Sequence, residues 1–249
     1  MNNTPSSTKT NCVARLREER MARSQRPFLA RGSRVVRCEQ CRLAEAYCLC
    51  AWRPQVEAQS GVCLLMYDTE PLKPSNTGWL IADVVADSHA FCWSRIDVDP
   101  RLLALLNDPQ WQPFVVFPAE YVEPTRVVQA VSVASDKRPL FILLDATWTE
   151  ARKMFRKSPF LDRFPVLSLT PEQQSRYRLR RSRREEHLCT AEVAALCLDL
   201  AGDERASQAL DAYLDVFSER YLGFKRNQAL NEHSDAHARL QPFCNLPLR

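Results

Sequence analysis

Five consecutive apolar residues, Leu140-Phe141-Ile142-Leu143-Leu144, run without a break into Asp145. Such a run suits a strand buried on both faces, as inside a parallel sheet. Pro139 keeps a helix from running into it. Beyond it, Asp145-Ala146-Thr147-Trp148-Thr149-Glu150 turns polar at once. Thr147 and Glu150 have the spacing of a capping box, which predicts a helix from near Trp148. Met154 and Phe155 fall on the buried side of that helix, and Arg152, Lys153, Arg156 and Lys157 mostly on its wet side. An acid, a hydroxyl and an indole thus collect at the carboxyl end of a central strand, where open α/β sheets hold ligands. Spacing alone leaves a plainer reading open, in which Asp145 is a turn residue, Thr147 an N-cap and Trp148 a core aromatic.

The rest of the chain alternates strands with helices. Val62 to Tyr67, Ala90 to Trp93, Pro113 to Phe117 and Phe164 to Leu169 read as short buried strands. Helices are expected at Leu80 to Val85, at Pro100 to Leu106, from Cys189-Thr190-Ala191-Glu192 to near Gly202, and from Asp203 to Leu222. Residues 121–138 read as a polar connection. This alternation predicts an α/β fold with a mainly parallel sheet. Two prolines hold the loop from Asp68 to Gly78 extended, and Asn76 or Thr77 can cap the helix behind it. Glu70 and Lys73 in that loop either grip a zwitterionic ligand or pair with each other.

A second signal lies upstream: Cys38-Glu39-Gln40-Cys41, six residues, then Cys48-Leu49-Cys50. Two close cysteine pairs in a polar segment have no apolar reason to exist, and together they make the tetrahedral thiolate shell of a structural zinc site. Iron or an iron–sulfur cluster is the alternative occupant of four soft ligands. Cys12, Cys63, Cys92, Cys189, Cys197 and Cys244 are isolated, and those in apolar runs are most simply core residues. Ten cysteines and the polar start, Met1 to Thr10, with no apolar leader, point to a reducing cytoplasmic setting. No apolar run reaches the roughly 20 residues of a membrane span.

Charge is uneven along the chain. Residues 1–37 hold nine Lys/Arg against two acids, and residues 151–184 hold eleven against two. Two basic blocks on a nearly neutral body suggest a polyanionic partner. The organisation expected is a disordered tail at 1–11, a helix and zinc-binding segment at 12–60, the main domain at 61–224 and a loose polar tail at 225–249.

Asp145-Ala146-Thr147-Trp148 matches the D-x-T-W signature of the DTW-domain proteins. The Cys38/Cys41/Cys48/Cys50 knuckle, the Thr69–Gly78 loop, Phe117-Pro118-Ala119, Ala151-Arg152-Lys153-Met154 and Cys189-Thr190-Ala191-Glu192 resemble the same family, in its order, over roughly residues 12 to 222. Within it the pattern is most similar to the bacterial tRNA-uridine aminocarboxypropyltransferases. The resemblance implies a SPOUT-like sheet with a deep trefoil knot, S-adenosylmethionine as cofactor, and tRNA rather than DNA or membrane as partner. It implies transfer of the 3-amino-3-carboxypropyl group to N3 of a uridine in the tRNA variable loop. Catalytic roles fall to Asp145, Thr147 and Trp148, with Asp145 as general base or base-orienting group. Cofactor contacts fall to Glu70, Lys73, Asn76, Thr77, Pro118, Ala119, Leu144, Thr190 and Glu192. Arg152, Lys153, Arg156, Lys157, Arg180, Arg181, Arg183 and Arg184 are expected on tRNA phosphates. A SPOUT-like RNA methyltransferase and a non-catalytic zinc-containing RNA-binding protein remain open as alternatives. The family often has Gly where Ala146 stands.

Overall fold

In the computed structural model, residues 11–25, 35–169 and 188–245 are described. The apolar runs become strands β1 (Gly61–Met66), β2 (Ser88–Cys92), β3 (Trp111–Val116), β4 (Val127–Val128), β5 (Arg138–Asp145) and β6 (Val166–Leu167). They form one six-stranded sheet in the order β2-β1-β5-β3-β6-β4, and every ladder is parallel. β5 lies inside, between β1 and β3, which is why its apolar run is continuous: both of its faces are covered.

Side chains of β5 alternate between two cores. Phe141 and Leu143 join the larger one, built with α1 (Cys12–Ala22), α2 (Gly78–Val84), α5 (Thr190–Leu200) and α6 (Glu204–Lys225). Leu140 and Ile142 join the other, built with α3 (Pro100–Asn107) and α4 (Trp148–Arg156). The sheet therefore has helices on both faces, the arrangement that the buried strand pattern demands.

Two sequence expectations are corrected and one is sharpened. Pro139, expected to keep a helix from running into the strand, lies inside it as the second residue of β5. Arg138 N–H donates to Gln110 O, so position 139 faces the side where β1 has not yet begun, and the missing N–H of proline breaks no ladder bond. The connection at 121–138 carries β4 at the sheet edge. Asn11, placed in the loose leader, caps α1 by accepting from the N–H groups of Val13 and Ala14, and its Nδ2 donates to Asp83 Oδ1 at 2.8 Å.

The segment after Lys225 also departs from the loose tail expected of it. It carries α7 (Asp235–Leu240), whose Ala236, His237 and Leu240 are buried. The reason is Arg220 on α6, the largest fully buried side chain, because a buried guanidinium must be paired. It donates to the carbonyl of Cys48, to Glu232 Oε1 at 3.0 Å and to His237 Nε2 at 3.0 Å. An arginine N–H facing Nε2 requires a neutral ring there, and Nδ1 lies 2.8 Å from Ser234 Oγ. Burial first, then the Arg220 charge, holds the imidazole below its ordinary value, against the opposing pull of Glu219 and Glu232.

A pH dependence follows. The unfolded chain takes up a proton at His237 more readily than the folded one, so stability rises with pH. The contribution is intact above the ordinary value of about 6.5 and is lost as pH falls through the lowered folded value. The wild-type melting temperature is expected to fall between pH 7.5 and 5.5 more than that of His237→Gln. Parallel pH profiles would reject this origin.

Candidate functional site at the carboxyl edge of the sheet

Asp145 ends β5 with its side chain fully buried on the face covered by α2 and α5. Its Oδ2 accepts from Asn76 Nδ2 at 2.7 Å, and its Oδ1 accepts from the Thr190 hydroxyl at 2.7 Å. One carboxylate thus ties the end of the central strand to the loop before α2 and to the first turn of α5. Asn76 is held in turn, because its Oδ1 accepts from Gly78 N–H at 2.9 Å and its Nδ2 also faces Glu70 Oε2 at 3.3 Å. Thr77 accepts from Ala191 N–H at 3.3 Å, a second tie between the same two segments. Glu192 folds back onto Cys189 N–H at 2.8 Å and closes the start of α5. The helix residue Gly78 is dictated by this crowding, since a Cβ there would sit 2.9 Å from Asn76 Oδ1 and 3.0 Å from Asp145 Oδ2. Glu70 and Lys73 pair with each other at 2.5 Å.

The other face of the same edge is aromatic. Trp148 stacks on Phe117 at 5.5 Å between centroids and meets Tyr121 edge-on at 5.3 Å. Phe117 stacks on Phe155 at 4.3 Å. Pro118 and Ala119 follow Phe117 directly, and Ala119 N–H donates to Ser168 Oγ at 3.0 Å, which joins the segments after β3 and β6. Further along the edge, Tyr67 after β1 stacks on Trp93 after β2 at 5.8 Å. Leu144 belongs to this side. Sequence reasoning collected Asp145, Thr147 and Trp148 in one place. The structure divides them: Asp145 points to one face, Trp148 lies on the other, and Thr147 is exposed with its N–H on Glu150 Oε2 at 3.0 Å. Alternation along β5 explains this, because Asp145 shares the face of Phe141 and Leu143.

The aromatic row was missed in the sequence, yet it had a signal. Tyr67, Trp93 and Phe117 each stand immediately after a strand, and Trp148 stands three residues after β5. α4 straddles the row: Arg152 lies over Tyr121 at 4.7 Å, and Lys153 Nζ lies 5.8 and 5.7 Å from the centroids of Tyr67 and Trp93. Arg152, Lys153, Arg156 and Lys157 are all exposed, as the helical spacing predicts, while Met154 is buried. Arg180, Arg181, Arg183 and Arg184 lie outside the described residues.

The four paired cysteines converge. Their Sγ atoms lie within 4.8 Å of one another, with Cys38–Cys50 at 3.6 Å and Cys41–Cys48 at 3.9 Å. A tetrahedron with zinc–sulfur bonds of about 2.3 Å has an edge of about 3.8 Å, so the set fits zinc. Four thiols this close ionise unequally: the hydrogen bond with Cys50 pulls the Cys41 thiol down and pushes that of Cys50 up. A cation would neutralise the set. Arg42, just past the knuckle, sits at φ 63°, and Leu49 N–H donates to Cys41 Sγ at 3.4 Å. Leu43 and Leu49 are buried in the larger core, so this segment is stitched into the body. Of the isolated cysteines, Cys12, Cys63, Cys189 and Cys197 are buried as expected, and Cys92 and Cys244 half-buried.

Among the described residues, no helix is long and apolar enough to cross a membrane. No solved structure matches the chain. A family model described as DTW domain matches residues 35–222, from the cysteine knuckle to near the end of α6. The matched region holds the whole sheet and every site residue named above, and the chain belongs to the DTW-domain family, a membership that fits a tRNA-modifying role.

Proposed function

We propose that the protein transfers the 3-amino-3-carboxypropyl group of S-adenosylmethionine to N3 of a uridine in the tRNA variable loop. The observation that carries this reading is the DTW-domain match over residues 35–222, with Asp145-Ala146-Thr147-Trp148 at the end of the central strand. The cofactor supplies an activated aminocarboxypropyl carbon whose bond to sulfur breaks as the bond to N3 forms, so that methylthioadenosine leaves and the N3 proton passes to water. Regiochemistry among the sulfonium's three carbons is then a matter of orientation, which rigid residues can supply.

In this proposal Trp148, Phe117 and Tyr121 give a flat apolar wall suited to adenosine or a sulfonium. Thr147, Pro118, Ala119 and Leu144 border that wall. Asp145 is a positioning residue rather than the proton acceptor. Its carboxylate is fully buried, each of its oxygens already accepts a hydrogen bond, and it sets Asn76 and Thr190 at the ends of two segments. Glu70, Lys73, Thr77 and Glu192 complete that frame. The exposed cations of α4 follow tRNA phosphates. Zinc at Cys38, Cys41, Cys48 and Cys50 holds the amino-terminal segment against α6 and has no part in the transfer. A SPOUT-like knotted path belongs to the same proposal, and the insertion of β5 between the earlier strands β1 and β3 supports it.

The test is incubation of the protein with tRNA and cofactor labelled separately on the methyl and carboxypropyl carbons. Carboxypropyl label is expected in tRNA and methyl label in released methylthioadenosine. Methyl label in tRNA would make the protein a methyltransferase. Neither label in tRNA, with tRNA bound, would leave a non-catalytic RNA-binding protein.

A further inference from the structure

We propose that Tyr67 and Trp93 form a stacking platform for an unpaired base of the bound RNA, beside the base that is modified; this rests on the tRNA reading above. The two rings are stacked at 5.8 Å and 19° and are half-buried, so part of each stays open to solvent. They are held in place: Trp93 Nε1 donates to Ser158 Oγ at 2.8 Å, and Ser158 is fully buried. A ring pair fixed in advance loses little entropy on binding, and stacking accepts any base because every base has a π face.

The surroundings select for a polyanion. Lys153 of α4 lies against both rings from one side. Arg152 on the same helix lies over Tyr121 at 4.7 Å, so the cations of α4 run beside both aromatic groups. Aromatic faces beneath backbone-directed cations are what single-stranded nucleic acid requires, whereas a duplex hides its bases and offers only phosphates. The sheet order β2-β1-β5-β3 sets this pair alongside the Trp148 wall, so one strand of RNA can pass from one to the other along the carboxyl edge.

Fluorescence anisotropy with a labelled single-stranded RNA oligonucleotide and with a blunt RNA duplex tests the assignment. Tyr67→Leu and Trp93→Leu keep apolar bulk and remove the π face. Each is expected to weaken single-strand binding roughly tenfold or more while leaving duplex binding within about twofold. Trp93→Phe, which keeps a ring, is expected to retain most of the affinity. Lys153→Gln is expected to weaken both complexes and to lower the log–log salt slope by roughly 0.7–0.9. On the wild-type protein, a 5-bromouridine oligonucleotide is expected to photocrosslink at Tyr67 or Trp93. Wild-type single-strand affinity in the folded Leu variants, or crosslinks that map only elsewhere, would overturn the platform and leave the tRNA reading standing. Binding of neither RNA by the wild type would overturn both.

Discussion

A Cys41→Ser variant is expected to melt far below the wild type and to hold no stoichiometric metal. Cys41 is the most buried of the four ligands, and its sulfur also accepts the Leu49 N–H at 3.4 Å. Serine offers a hard, shorter ligand that soft zinc sites reject. The remaining thiolates would then repel one another beside the buried Leu43 and Leu49, and the Cys48 carbonyl would lose its fixed place against Arg220. Metal loss belongs with the large single-site effects, roughly 3–5 kcal/mol, which for a domain of this size means a fall in melting temperature of roughly 10 °C or more. Calorimetry with elemental analysis checks it. About one zinc per wild-type chain is expected, and a chelator should reproduce the variant. A metal-free wild type as stable as the loaded one would refute the site, and iron in place of zinc would change its occupant.

Asp145→Ala is expected to be the most damaging change at the sheet edge. It takes the acceptor from the Thr190 hydroxyl, at about 1–3 kcal/mol, and leaves the Asn76 amide only its longer bond to Glu70, besides the cavity. A loss of several kcal/mol should lower the melting temperature by roughly 10 °C. Asp145→Asn separates the roles. An asparagine oxygen can still accept from Asn76, and its amide can donate to Thr190 Oγ, so both ties survive in neutral form. If Asp145 positions Asn76 and Thr190, the folded Asn variant should keep its single-turnover rate within about tenfold, and Thr190→Val, which cuts one tie, should slow the same step without abolishing cofactor binding. General-base loss would instead cost roughly 10²–10⁴-fold in Asp145→Asn. A drop of that size in a folded variant would return the carboxylate to the role of proton acceptor.

Much of this was legible in the chain. The run from Leu140 to Leu144 announces a strand covered on both faces because a continuous apolar stretch of that length has few other uses, and the strand is there. Thr147 with Glu150 announces the start of α4, since capping is local hydrogen bonding between residues three apart. The cysteine spacing announces one cluster because a knuckle is short enough for its turn to set the sulfur positions. What depends on nearest neighbours in sequence, on period and on caps, could be read directly.

The direction and company of side chains could not. Asp145 and Trp148 are three residues apart, yet the last pleat of β5 and the turn into α4 send them to opposite faces of the sheet. Asp145 meets Asn76 and Thr190, 69 and 45 residues away, only because β1 and β5 are parallel neighbours and α5 returns to the same edge. The polar tail looked loose because nothing in its own composition asks for burial; the demand comes from Arg220 on α6, whose buried charge recruits Glu232 and His237. Tyr67 and Trp93 lay in separate strand ends until the β1–β2 ladder set Met66 opposite Cys92 and brought the rings together. The sequence by itself determined the elements and the metal knuckle, because these rest on local geometry. Only the tertiary structure decided which faces the acid and the aromatics take and what they touch, because strand order and helix return are set by the packing of the whole core.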